Sequence, residues 1–329
     1  MRRIGIVGAG RMARVRGRAL LAAGATICGV AARHVESARK LGRELGSGDS
    51  FDDYRRLADA RPDALLVEVP HAVQDEIVLW ALGQGLSVLV GGCLASTVRA
   101  AEEIVRLAAR RRLVVEAGYQ ARYSTEWETA RRLVAGGDLG RIVAVRSIAL
   151  WPADPASWYY DQAQSGGMPL AHMTYCFLNP VRWILGQPLR VSAFANRKHH
   201  TAPGLIAEET CVANVLLVDD VPYSLVAGFV GPGRLPAWSV TFIGTQGAID
   251  LVPAEESRAV MVVYREGAKE AQPIDFATAP DAFEAQARAF LAALDGGPDV
   301  RNPPQDALVD VQIAEAIVRS VREFRTITM

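Results

Sequence analysis

Over the first third of the chain, short apolar runs alternate with longer mixed stretches. Ile4–Val7, Thr26–Ala31, Ala64–Val67, Leu86–Val90 and Leu113–Ala117 are apolar almost throughout, the pattern of strands covered on both faces. Between them, Arg11–Ala23, Val35–Leu45, His71–Gln84 and Ser96–Arg110 have helical composition. Gly46 and Gly85 are natural stops, and Ser96 is the candidate N-cap of its helix, with Arg99 at the capping-box position. Strands that alternate with helices in this way predict an α/β, doubly wound parallel sheet with helices on both faces.

The pattern then changes. After a helical stretch, Ser124–Ala135, and the turn Gly136-Gly137-Asp138, apolar and polar residues begin to alternate. Strands are expected near Ile142–Leu150, Arg190–Asn196, Thr210–Val218, Tyr223–Val230, Trp238–Ile243, Ala248–Val252 and Ala259–Tyr264, with a tight turn at Val218–Val221. This predicts an open, mostly antiparallel sheet flanked by helices. One helix, Leu170–Leu185, interrupts it, and Ala282–Leu294 and Gln305–Phe324 close the chain. The expected domains are residues 1–120 and 121–329, with the last helix free to pack back on the first domain.

Composition narrows the classes. A chain of 329 residues, half of them hydrophobic, suits two domains. Net charge is zero and no basic stripe with interleaved aromatics appears, which argues against a nucleic-acid partner. No apolar run reaches the ~20 residues of a membrane span, and the N-terminal stretch fails as a signal peptide because glycines and arginines break it. Cysteines 28, 93, 176 and 211 have neither metal nor disulfide spacing. A reduced, cytoplasmic protein is expected. His199-His200, beside Arg197 and Lys198, reads as an exposed loop or subunit contact and not as a metal site, because no carboxylate stands at a fixed spacing.

Gly8-Ala9-Gly10-Arg11-Met12-Ala13 follows the first strand and opens the first helix. Gly8 suits a tight turn, Gly10 a close backbone approach to a pyrophosphate, and Ala13 a close helix–strand contact. At the end of the second strand, Ala32 stands where an NAD site places Asp or Glu, and Arg33 follows. Without that carboxylate, a guanidinium there can pair with a 2′-phosphate, so NADP(H) is expected over NAD(H). The alternative is a solvent-facing arginine.

These markers, with Val69-Pro70, Val88–Leu94, Gly118–Tyr123, Gly136–Ile142, Ser165-Gly166-Gly167, Arg182–Gly186 and Ile243–Gly247, resemble the glucose-fructose oxidoreductase / inositol dehydrogenase / rhizopine-catabolism (Gfo/Idh/MocA) family over nearly the whole chain. The resemblance implies a Rossmann domain, a substrate and oligomerisation domain, hydride transfer with a nicotinamide, and cofactor contacts at Val69, Pro70 and Gln120. It also implies a homodimer or homotetramer through the second sheet, where Val212, Val215, Leu225 and Phe229 alternate. The family usually carries Glu-Lys-Pro where this chain has Gly91, Gly92 and Cys93, so the usual acid/base lysine is missing.

The family's middle helix usually carries Asp, Gly, His and Asp at positions that here read His172, Thr174, Cys176 and Asn179. The usual histidine after the fourth strand is replaced by Gln74, although His71 lies nearby. Three readings follow. His172 takes over as acid/base, with Tyr119 or a water as backup; Cys93 or Cys176 is a reactive thiol; or the site binds without turnover. Substrate contacts are expected from Gly92, Cys93, Arg122, Trp158, Tyr159 and Asn179, with Tyr160 nearby. The expected reaction is hydride transfer at a C–O or C–N carbon of a small sugar-like, cyclic or imine metabolite. A cofactor-binding sensor, or a cyclase or isomerase reusing the pocket, stands as the alternative.

Overall fold

The computed structural model describes residues 1–165, 169–231, 238–253, 259–276 and 278–329, and for 169–175 the backbone alone. Two compact units emerge: residues 1–123 with 280–311, and residues 124–279 with 312–329.

The first unit holds six strands: β1 (Arg3–Val7), β2 (Thr26–Ala31), β3 (Ser50–Phe51), β4 (Ala64–Val67), β5 (Ser87–Val90) and β6 (Val115–Ala117). They pair in parallel in the order β3-β2-β1-β4-β5-β6. The order reverses between β1 and β4, which makes their carboxyl ends the switch point where such sheets bind ligands. The crossovers are α1 (Arg11–Ala22), α2 (Val35–Glu44), α3 (His71–Gly83) and α4 (Val98–Arg111). α4 begins later than its sequence predicts. Thr97 is the N-cap, its Oγ1 accepting the Ala100 N–H, whereas Ser96 gives both its N–H and its hydroxyl to Asp75.

In the second unit, α5 (Thr125–Ala135) precedes β7 (Ile142–Leu150), α6 (Gln162–Ser165) and α7 (Pro169–Leu185). There follow β8 (Pro188–Asn196), β9 (Thr210–Leu217), β10 (Pro222–Gly228), β11 (Trp238–Gly244), β12 (Gly247–Val252), β13 (Val260–Arg265) and β14 (Gln272–Asp275). With β15 (Ile327–Thr328) they form one sheet in the order β14-β13-β12-β11-β7-β10-β9-β8-β15. Only the β10–β7 pair is parallel. Asp219 and Asp220, at φ 58° and 56°, make the hairpin turn between β9 and β10, a conformation that aspartate tolerates. Val215, Leu225 and Phe229 are buried, while Val212 is part of an exposed apolar set with Val143, Phe194, Ile243 and Tyr264.

The domain expectation needs one correction. The break falls after residue 123, and α8 (Ala282–Leu294) with the start of α9 (Pro304–Glu323) belongs to the first unit. The reason is packing: Ala287, Phe290, Leu291 and Val300 share one apolar core with Ile4, Leu20 and Ile27. Asp281 caps α8 by accepting the Glu284 N–H.

Candidate functional site

The turn between β1 and α1 is built by two glycines under different constraints. Gly8 has φ +108°, and a Cβ there would collide with the carbonyl oxygen of Glu68 at the end of β4. The fold itself therefore demands glycine at 8. Gly10 has φ −81° and a Cβ there would meet nothing in the protein. What Gly10 keeps clear is space in front of α1. That helix has neither a side-chain cap nor an acidic residue in its first turn, so its first amides and dipole face the space uncompensated. An anion satisfies them, and a pyrophosphate fits this chemistry. Arg11 is exposed and Met12 half-buried beside it, while Ala13 is fully buried. Ala32 and exposed Arg33 follow β2, and Arg33 makes no hydrogen bond or ion pair with a described residue.

Beneath this turn lies a buried charge cluster that spacing along the chain does not reveal. Arg16, on α1, is 4% exposed and its Nε lies 2.7 Å from Oε1 of Glu68. Its other nitrogens donate to Gln286 Oε1 (2.6 Å), the Gly118 carbonyl (2.6 Å) and Gln120 Oε1 (3.1 Å). Burial raises the Glu68 pKa, and Arg16 works against that. A Cβ at Gly91 would overlap the Glu68 carboxyl group. The space that a side chain at 91 would enter thus holds a carboxylate delivered from the neighbouring strand. The signal available in the sequence was a glutamate directly after the apolar run of β4.

At the end of β5, Gly92 has φ +70°, a conformation that L side chains rarely adopt, and a Cβ there would point into open space. Cys93 is buried, 3.5 Å from His71 Nε2, and its carbonyl accepts from Gln74 Nε2 at 2.8 Å. Burial pushes the Cys93 thiol up to about 12, so it is not a thiolate nucleophile. Val69 and Pro70 are half-buried, and Pro70 precedes the first turn of α3.

After β6, Tyr119 is buried and its carbonyl accepts from Asn302 Nδ2 at 3.0 Å. Arg122, expected to meet substrate, is also buried. It pairs with Asp306 at 2.6 Å and donates to the Arg301 carbonyl, so within this unit it anchors the returning segment. Glu116, in the middle of β6, was not anticipated. It accepts from the Tyr123 hydroxyl at 2.6 Å, and burial lifts its pKa to about 7 against the pull of Tyr123 and Asn302. A lone glutamate inside Leu113–Ala117 was the sequence signal.

In the second unit, the His172 side chain lies outside the described residues, as do Gly166, Gly167 and the Thr174 side chain. Cys176 is half-buried on α7 and Asn179 fully buried. Trp158 and Tyr159 are half-buried and stack on each other at 4.2 Å, with Tyr159 against Trp151 and Phe229. Tyr160 is buried and its hydroxyl reaches Glu209 Oε1 at 3.0 Å. That same carboxylate meets His200 Nδ1 at 2.6 Å. Sequence spacing gave no hint that Glu209 joins the histidine pair. Burial alone would raise the Glu209 pKa, but hydrogen bonds from His200, the His199 amide and Tyr160 outweigh it and hold the carboxyl below its usual range.

Comparison with known proteins places the chain. Residues 2–119 match the oxidoreductase family with an NAD-binding Rossmann fold, and residues 127–250 match the GFO/IDH/MocA C-terminal domain. An inositol 2-dehydrogenase from Rhizobium meliloti is 24% identical over 337 residues, covering 99% of each chain. One from Mycolicibacterium gilvum is 28% identical over 162 residues, 49% of this chain and 45% of that one. A levoglucosan dehydrogenase solved in complex with NADH has the same fold, with a TM-score of 0.88 at 18% identity over 99% of this chain and 98% of that one.

Proposed function

The chain belongs to the Gfo/Idh/MocA oxidoreductase family, and from that premise we propose that it exchanges hydride between a nicotinamide dinucleotide and a C–O or C–N carbon of a small sugar-like, cyclic or imine metabolite. The observation that carries this is the uncapped start of α1 behind a Gly10 that the fold does not require. When bound, the nicotinamide supplies the hydride chemistry. The protein's residues do the rest. The amides of Arg11, Met12 and Ala13 hold the pyrophosphate, and Val69, Pro70 and Gln120 line the nucleotide path by the family resemblance. Arg33 takes the 2′-phosphate, which favours NADP(H). Support for that preference comes from this chain's own residues, since the levoglucosan dehydrogenase relative carries NADH.

The tip of β5 supplies no lysine, since Gly92 has no side chain, and burial raises the Cys93 thiol. We assign the proton to His172, four residues before Cys176 on α7 and so on the same helix face. It would hold or release a proton at the substrate oxygen or nitrogen. Trp158 and Tyr159, half-buried and tilted 31° to one another, offer aromatic surface of the kind that sugar rings and other planar groups pack against. The exposed apolar set on the second sheet supports a homodimer or homotetramer, checked by light scattering. The bare β5 tip also favours a second reading, a cofactor-binding protein without turnover.

Fluorescence titration with NADPH and NADH tests the first half. Micromolar NADPH binding, with an NADPH/NADH preference that collapses in Arg33→Ala, is expected. No binding of either nucleotide refutes the proposal. With a substrate in hand, His172→Ala should lose most turnover and keep cofactor affinity; unchanged turnover removes His172 from the role.

A further inference from the structure

We propose that His199, His200 and Glu209 form a binding site for a divalent transition-metal ion of the zinc class. The three residues sit in the connection between β8, which ends at Asn196, and β9, which begins at Thr210. The Glu209 N–H donates to the Asn196 carbonyl at 2.8 Å, so the two ends of the connection meet where the ligands converge. His199 Nδ1 and His200 Nδ1 are 3.0 Å apart. Glu209 Oε1 is 2.6 Å from the second and 3.8 Å from the first. A circle through these three atoms has a radius of about 1.9 Å, just inside the ~2.0–2.1 Å of zinc–nitrogen and zinc–oxygen bonds. An ion slightly out of their plane reaches all three.

A ring nitrogen offers either one N–H or one lone pair in the ring plane. A proton on His200 Nδ1 bonds to Glu209 Oε1 and leaves the His199 Nδ1 lone pair facing it. A cation that replaces this proton is offered one lone pair by each of the three atoms. The carboxylate is also fixed for the task. Its Oε2 accepts the backbone N–H groups of His199 (2.9 Å) and His200 (3.3 Å), and Tyr160 donates to Oε1, the support from outside the ligand set that orients metal-binding groups. Glu209 is 1% exposed, His200 23% and His199 67%, so the site is anchored in the protein and open on one side for a water. Two imidazoles and one carboxylate select zinc, cobalt or nickel over magnesium and calcium.

The test uses the untagged full chain, stripped with chelator and titrated with Co²⁺ by visible absorbance and with Zn²⁺ by calorimetry. One equivalent of each is expected to bind, with a nitrogen/oxygen-type cobalt spectrum and no competition from Mg²⁺. His199→Ala, at an exposed position that leaves folding intact, should weaken binding by at least about tenfold, and Tyr160→Phe by about tenfold through the carboxylate it orients. Glu209→Gln should bind no stoichiometric metal, with circular dichroism checking its fold. Three results would overturn the site: no saturable uptake by the wild type, equal uptake by a His199→Ala/His200→Ala double variant, or a thiolate-to-cobalt charge-transfer band that places the ion on cysteine.

Discussion

Replacing Glu116 by glutamine should flatten the pH dependence of stability. In the folded protein this carboxyl titrates near pH 7, against a reference value of 4.5. The folded state therefore holds a proton that the unfolded chain has already lost over this range. A raised acid pKa makes the group's contribution most favourable below pH 4.5, lets it fall as pH rises towards 7, and leaves it constant above that. The whole shift is worth about 3 kcal/mol, at ~1.36 kcal/mol per unit, and most of it falls between pH 5 and pH 8. The Glu116→Gln side chain keeps an oxygen for the Tyr123 hydroxyl but cannot ionise. Its amide would face the buried position where Oε2 has no hydrogen-bond partner among the described residues, a constant cost of ~1–3 kcal/mol. The informative quantity is thus the change in the wild-type-minus-variant difference between the two pH values, in which that constant cancels. Urea unfolding followed by far-ultraviolet circular dichroism at half-unit steps supplies it. Wild type should lose about 2–3 kcal/mol relative to the variant as pH rises. Parallel profiles would refute a neutral-pH proton on Glu116.

The paired glycines separate binding from folding: Gly10→Ala should fold as wild type in a thermal melt yet weaken NADPH binding by about tenfold or more. Gly8→Ala should instead lose stability, through ~1–3 kcal/mol of backbone strain and the collision with Glu68. Arg16→Met should cost ~3–5 kcal/mol by stranding a buried carboxylate, and adding Glu68→Gln should recover much of it; equal losses in the single and double variants would show that the pair is not the cause.

The strands and helices of the first sheet were legible because a parallel sheet buried on both faces writes its strands as uninterrupted apolar runs. The glycine turn was legible because its chemistry is local. β3, with two residues, is too short to leave a pattern, and it forms by pairing with β2. The return of α8 to the first unit is a matter of which apolar faces meet, and no local signal records that. Site residues divide in the same way. Gly8 and Gly10 act through their own backbone, so the turn they make is written in the local sequence. Arg16, Glu68, Glu116 and Glu209 act through partners up to 270 positions away, as Arg16 with Gln286, and only folding brings them together. Arg122, inside the Gly118–Tyr123 marker, was expected to meet substrate, and its pairing with Asp306 is another long-range contact that no local pattern records.

The exchange between Gly91 and Glu68 has an evolutionary consequence. The family resemblance implies a glutamate at 91, and here the same space is filled from the next strand. Restoring glutamate at 91 while Glu68 remains would force two carboxylates into one buried volume beside a single arginine. Removing Glu68 first would leave Arg16 without its counter-charge. Each single step back is worse than either end state, so the two positions act as a ratchet. Any relative that shares Glu68 should therefore be held to a small residue at 91.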